Sequence, residues 1–227
     1  MNCLTSGTAL GPPILNDKGY SKMIRSHSLV SALAVAIALP AAAWADCPTG
    51  PATDGVYMTF PDMLMRYEVQ SDGTILETET NYKDGEVWQH VMHPTGLVFE
   101  SWELVADQVV ADSIETVTYS TPLPDIAPNT RWDIEETARF SDGFEIRYFT
   151  EVEVLSPTEV GVEDCSYIGW PVNVRRTDLE TDEAWVDAQM YLPELEILVY
   201  LASADAGERP NIVPPQTISA QHPDVAN

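Results

Sequence analysis

The sequence predicts an all-β protein: a single curved antiparallel sheet, a half-barrel or incomplete barrel of about ten strands, with little helix in the mature chain. Three observations carry this. The first is a period-two alternation of apolar and polar residues. Met65, Tyr67 and Val69 oppose Arg66, Glu68 and Gln70; Ile146, Tyr148, Val152 and Val154 oppose Glu145, Arg147, Glu151 and Glu153. Ala184, Val186, Ala188 and Met190 likewise oppose Glu183, Asp187 and Gln189, a pattern of sheet with one wet face. The second is a series of tight-turn signals: Ser71-Asp72-Gly73-Thr74, Lys83-Asp84-Gly85-Glu86, His93-Pro94-Thr95-Gly96 and Ser141-Asp142-Gly143-Phe144. Asp-Gly supplies the positive φ angles that hairpins need. The third is the lack of any helical stripe longer than about ten residues beyond the N-terminal region.

Strands are expected near 55–60, 64–70, 74–82, 87–93, 97–105, 109–121, 131–140, 145–156, 158–176 and 183–202, the long ones bent or split. Short loops make neighbours antiparallel. Pro122 to Pro128 forms the long connection, which crosses the mouth or edge of one sheet. Residues 46–204 thus make one β domain, and 205–227, with Pro210, Pro214, Pro215 and Pro223, read as an extended or disordered tail.

The N-terminus reads as an address. Arg25 precedes an apolar run from Leu29 to Leu39, then Pro40 and the ending Ala43-Trp44-Ala45. These are the three parts of a secretory signal peptide, 23–45, cleaved after Ala45. The run is too short to anchor in a bilayer, and Asp46 before Cys47 disfavours lipid attachment there. Met23 is read as the initiator and residues 1–22 as a mis-assigned upstream extension. The chain is therefore expected in the periplasm or outside the cell.

The full chain of 227 residues has 36 Asp and Glu against 11 Lys and Arg, a formal charge of -25. Residues 46–227 keep 35 of the acidic and 8 of the basic residues, with Lys83 the last lysine. Phosphate contacts need a basic surface, so nucleic acid and anionic lipid are excluded as partners. In an oxidising compartment Cys47 and Cys165 read as one disulfide; a catalytic thiol is the alternative, and no CxxC supports it.

The C-terminal third carries a resemblance. Val160-Gly161-Val162-Glu163-Asp164-Cys165, then Trp170-Pro171-Val172-Asn173-Val174, then Trp185 to Tyr200 with Tyr191-Leu192-Pro193-Glu194-Leu195, resembles a group of uncharacterised bacterial secreted proteins built as antiparallel half-barrels. Where that pattern has glycine, this chain has Glu194 or Glu196. The resemblance implies a half-barrel over roughly 55–204. It also implies a distant architectural likeness to periplasmic lipoprotein carriers, which hold acyl chains between a curved sheet and a helical lid. No lid helices are legible here.

Candidate chemistry is sparse. His90 and His93 have H-x-x-H spacing, but on a strand they fall on opposite faces, so no metal site is expected. Glu77 and Glu79 share a strand face about 6.6–7 Å apart along the chain, a spacing that suits paired carboxylates in glycoside hydrolysis. Opposed to Leu76 and Tyr82, they are expected to face water. No nucleophile elbow, P-loop, dinucleotide fingerprint or EF-hand loop occurs, and no cofactor is expected. Glu136 breaks its own pattern, sharing a face with Trp132, Ile134, Ala138 and Phe140. A carboxylate there must be paired, protonated or at a cavity edge, with Arg139 or His90 the nearest partners in sequence terms. With His90 between Trp88 and Met92, a pocket of Trp88, His90, Met92, Trp132, Glu136 and Phe140 is expected, apolar with two polar handles.

These readings favour a non-catalytic secreted or periplasmic β-module that binds an apolar or amphipathic, lipid-like or other small ligand in a concavity of the sheet. Two alternatives stay open: a polysaccharide-active enzyme using paired carboxylates, and a structural partner in an envelope complex recruited by an open sheet edge.

Overall fold

The computed structural model describes residues 47–223. The expected extension 1–22, the expected signal sequence 23–45 with its cleavage point, and residues 224–227 lie outside the described residues. Strands follow in chain order: β1 (Val56–Thr59), β2 (Met63–Val69), β3 (Ile75–Asn81), β4 (Val87–Met92), β5 (Val98–Val105), β6 (Gln108–Val109) and β7 (Glu115–Tyr119). After the Pro-rich connection come β8 (Thr130–Phe140), β9 (Glu145–Val154), β10 (Thr158–Val162), β11 (Cys165–Asp178), β12 (Ala184–Leu192), β13 (Ile197–Asp205) and β14 (Thr217–Ser219). One 3-10 turn, Ala111–Ser113, separates β6 from β7. The described residues thus form an all-β structure.

The strands make one antiparallel sheet in the order β13-β12-β11-β9-β8-β7-β5-β4-β3-β2-β1-β14, with β10 hanging from β11 and β6 from β5. The sheet does not close into a barrel. Local chemistry explains the meander. In three hairpins an aspartate accepts the backbone N–H two residues on: Asp72 from Thr74, Asp84 from Glu86 and Asp142 from Phe144. The glycine between takes a positive φ, +85° at both Gly73 and Gly143. At the β12–β13 turn, Glu196 sits at φ +56°, in the region that favours glycine.

The described residues hold fourteen strands against the expected ten because three long segments divide and the tail adds one. Residues 109–121 break at the 3-10 turn, 158–176 at Glu163 and Asp164, and 183–202 at Pro193 to Glu196. The tail is the larger difference. It leaves β13, donates from Val213 N–H to Leu201 O (3.2 Å), then from Gln216 N–H to Thr59 O (2.7 Å), and pairs with β1 as β14. Ile218 is fully buried at the core, opposite Met58. Prolines hid this short strand, because a three-residue element carries no readable period. Ile218→Ala should therefore cost about 2–5 kcal/mol, measured by urea unfolding; a cost below about 0.5 kcal/mol would show that the tail does not hold the fold.

The core gathers Met58, Tyr67, Ile75 and Leu97 with Val152, Val154, Val172, Leu192, Leu195, Ile197 and Leu198. The segment before β1 ties its two ends: Ala52 N–H donates to Leu195 O and Val69 N–H to Ala52 O, both 3.0 Å. Cys47 and Cys165 are bonded, their Cα atoms 5.6 Å apart, which pins this segment to β11. On the outer face, Arg131 and Arg175 flank Glu151 at 2.7 and 2.8 Å. Exposed pairs of this kind add little to stability.

Candidate functional site

Sheet register carries polar side chains into the concave face. Tyr67, Glu77, His90, Ser101 and Glu115 are successive cross-strand partners from β2 to β7. A second row runs Tyr119, Glu136 and Tyr148 across β7, β8 and β9. A third runs Thr150, Arg176 and Trp185 across β9, β11 and β12. Because period two keeps i and i+2 on one face, Glu79 joins Glu77, and Asp187 and Gln189 join Trp185.

Two adjoining recesses result, sharing His90, Val98 and Arg176. One, of about 350 Å³, lies among Glu77, Glu79, Met92, Gln189, Leu198 and Tyr200. The other, of about 270 Å³, lies among Ser101, Glu115, Tyr119, Glu136, Tyr148 and Trp185. Gly96 shapes the first: at φ +83° it approaches so closely that a Cβ would overlap the Gln189 amide.

Arg176 sits where the recesses meet. Its Nε donates to Glu136 Oε1 at 2.8 Å and its Nη1 to Asp187 Oδ2 at 2.5 Å. Burial pulls its pKa down, but the two carboxylates outweigh burial and the guanidinium is held above its usual value. The remaining groups are shifted toward neutrality. Burial first, then the charge of Glu79, pushes Glu77 up to about 8, against a smaller lowering by the Tyr67 hydroxyl. Burial raises Glu79 and Glu115 and lowers His90 to about 4. At neutral pH the cavity holds one guanidinium, its two carboxylates, a neutral imidazole and a protonated Glu77.

Hydrogen bonding inside is incomplete. Glu77 Oε2, Glu136 Oε2 and Gln189 Oε1 are buried without a partner, as are the hydroxyls of Tyr67 and Thr150. Each such atom costs about 1–3 kcal/mol relative to a satisfied one. The Tyr67 hydroxyl and Glu77 carboxyl couple electrostatically, yet neither Tyr67 Oη nor Glu77 Oε2 makes a well-formed hydrogen bond.

The expected pocket residues are divided by the structure. His90, Met92 and Glu136 line the recesses. Trp88 stacks on His90, ring centroids 6.5 Å apart, and Trp132 packs against the core. Phe140 stacks on Phe144 in a separate surface depression with Asp112 and Asp142. The partner of Glu136 is Arg176; Arg139 instead pairs with Glu145 on the outer face. Glu77 and Glu79, expected in water, face the concavity, Glu77 only 6% exposed. The concave wall of β3 is Ile75-Glu77-Glu79 because the space it faces is polar. Arg176, Asp187, Gln189 and Tyr200 were not singled out from sequence. Arg176 carried a usable signal, since it shares the parity of Val172 and Val174 and so breaks its strand's apolar face as Glu136 does, with the opposite charge.

Among the described residues no group of three or more His, Cys, Asp and Glu is placed to hold a metal ion. No helix among them is long and apolar enough to cross a membrane. Comparison of the chain with protein-family models, curated proteins and solved structures returns no match.

Proposed function

We propose that the domain is a non-catalytic binding module that holds a small amphipathic ligand in the concavity between β3–β5 and β11–β13. One observation carries this reading: three buried oxygens without partners, on Glu77, Glu136 and Gln189, line adjoining recesses. Buried polar atoms in folded proteins are paired almost without exception, and a ligand is what would pair these. Met92, Val98 and Leu198 offer it apolar contact in one recess, Val117, Ala138 and Trp185 in the other. A largely polar lining favours an amphipathic ligand over a purely apolar one. Native mass spectrometry of protein purified without detergent is expected to show a retained small mass, lost in Gln189→Leu. A bare polypeptide mass under those conditions, in every preparation, counts against the module.

Export belongs to the same reading, supported by the Ala43-Trp44-Ala45 ending and by a disulfide suited to an oxidising compartment. The exported chain should begin at Asp46. N-terminal sequencing that returns an upstream residue would contradict this.

A second reading, a polysaccharide-active enzyme, has one observation in its favour. Glu77 and Glu79 share a recess, and a carboxyl protonated at neutral pH beside a second carboxyl is an acid–base arrangement. Hydrolysis of soluble glycans that disappears in Glu77→Gln would establish it.

A further inference from the structure

We infer that the recess between β3 and β12–β13 takes an organic cation, an ammonium group on a small apolar body, seated against Glu77, Glu79 and Gln189. This rests on the binding-module reading and names its ligand. The unfilled hydrogen-bonding capacity along the two recesses is oxygen: Glu77 Oε2, Gln189 Oε1 and Glu136 Oε2. The Gln189 amide oxygen and the Glu136 carboxylate only accept, and Glu77 does so once it has given up its proton, so the missing partner donates. Arg176 bonds Glu136 through Nε and Asp187 through Nη1, and none of its N–H groups reaches these three oxygens.

Charge points the same way. Arg176 faces two carboxylates, which leaves one negative charge before Glu77, Glu79 or Glu115 ionises. An anion would meet this excess; an ammonium group neutralises it. Tyr200 in the same recess and Tyr148 and Trp185 in the adjoining one present aromatic surface suited to a cation and its apolar body.

The arrangement couples binding to a proton. Tyr67 from β2, Glu79 from β3 and His90 from β4 stand beside Glu77. Across the recess are Arg176 of β11, Asp187 and Gln189 of β12 and Tyr200 of β13. His90, held neutral by burial, supplies no charge at neutral pH. When R–NH3⁺ docks, the O–H bond of the Glu77 carboxyl breaks, its proton passes to solvent, and the carboxylate accepts from the ammonium. One proton leaves for each cation bound. Affinity then rises about tenfold per pH unit up to the Glu77 pKa and levels above it.

The test is isothermal titration of the oxidised, signal-free chain with butyl-, hexyl- and benzylammonium chloride, their alcohols and the matching carboxylates. The expected result is binding by ammonium members, about tenfold tighter at pH 7.5 than at pH 6.5. The enthalpy should differ between phosphate and Tris by the ionisation heat of one proton. In Glu77→Gln, which copies the protonated carboxyl and should fold, both the pH slope and the buffer difference vanish. Glu79→Gln weakens binding but keeps the slope. Binding of alcohols or carboxylates without ammonium members overturns the cation while leaving the pocket reading intact. So does ammonium binding whose affinity is level from pH 6.5 to 7.5. If no series binds, this inference falls, and the pocket reading stands or falls on the retained mass alone.

Discussion

Replacing Arg176 with methionine is expected to lower the unfolding free energy by about 3–5 kcal/mol at pH 8. The guanidinium itself is not a large net source of stability. Desolvating it with two carboxylates offsets much of what their attraction returns, and an apolar substitute of similar volume for the whole triad can be neutral. What costs is the remainder: Glu136, 4% exposed, and Asp187, 8% exposed, are left facing each other in the interior without a counter-charge. Two further expectations separate this cause from lost packing. In the variant two buried carboxylates lack a counter-charge, so the deficit is greatest at alkaline pH, where both would carry charge, and shrinks as pH falls toward 4. The triple variant Arg176→Met, Glu136→Gln, Asp187→Asn should recover most of the loss at pH 8. Equilibrium urea unfolding of all three proteins at pH 4, 6 and 8 decides it. A deficit equal at all pH values, or a triple variant no better than the single, would mean that Arg176 acts through packing alone.

This triad also shows how far the sequence could be read. Alternation and Asp-Gly turns were enough to place the antiparallel strands up to β13, though not where three of them split, because both are local: a turn aspartate capping the N–H two residues on needs no distant partner. The faces were legible too. Tyr148, Val152 and Val154 are concave, while Glu145, Arg147 and Glu153 are convex, as their pattern requires. What period two cannot supply is which face is inside when the inside is polar. On β12 the apolar set was Ala184, Val186, Ala188 and Met190, yet Asp187 and Gln189 point into the cavity. On β3 the rule that carboxylates face water failed for Glu77 for the same reason. The usable signal was a pair of exceptions. Glu136 breaks an apolar face on β8 and Arg176 breaks one on β11, two strands away across β9. Opposite charges that each violate their own strand's pattern are candidates for one buried pair, and only the strand order brings them together.

Stability should fall as pH rises from about 6.5 to about 8, by about 2 kcal/mol, and two single substitutions should expose the opposed groups behind that modest slope. Glu77 is raised on folding to about 8. A carboxyl raised in this way contributes fully below its unfolded pKa near 4.5, and the contribution is lost through the window up to 8, about 5 kcal/mol in all. His90 is lowered on folding to about 4. Its unfolded form binds the extra proton between 4 and 6.5, so stability rises with pH there by about 3 kcal/mol. The two residues are cross-strand partners, and between 4.5 and 6.5 their slopes cancel; above 6.5 only Glu77 still titrates. Glu77→Gln should remove the fall above pH 6.5, leave a rise between 4 and 6.5, and make the variant more stable than the parent at pH 8.5. His90→Gln should do the reverse, with stability declining from pH 4.5 onward. Urea midpoints at half-unit pH intervals for the three proteins test the signs separately. Parallel curves for parent and Glu77→Gln between pH 5 and 8.5 would show that Glu77 already ionises near its ordinary value. The fold would then carry a charged carboxylate in the recess at neutral pH, and no proton would remain there for an arriving cation to displace.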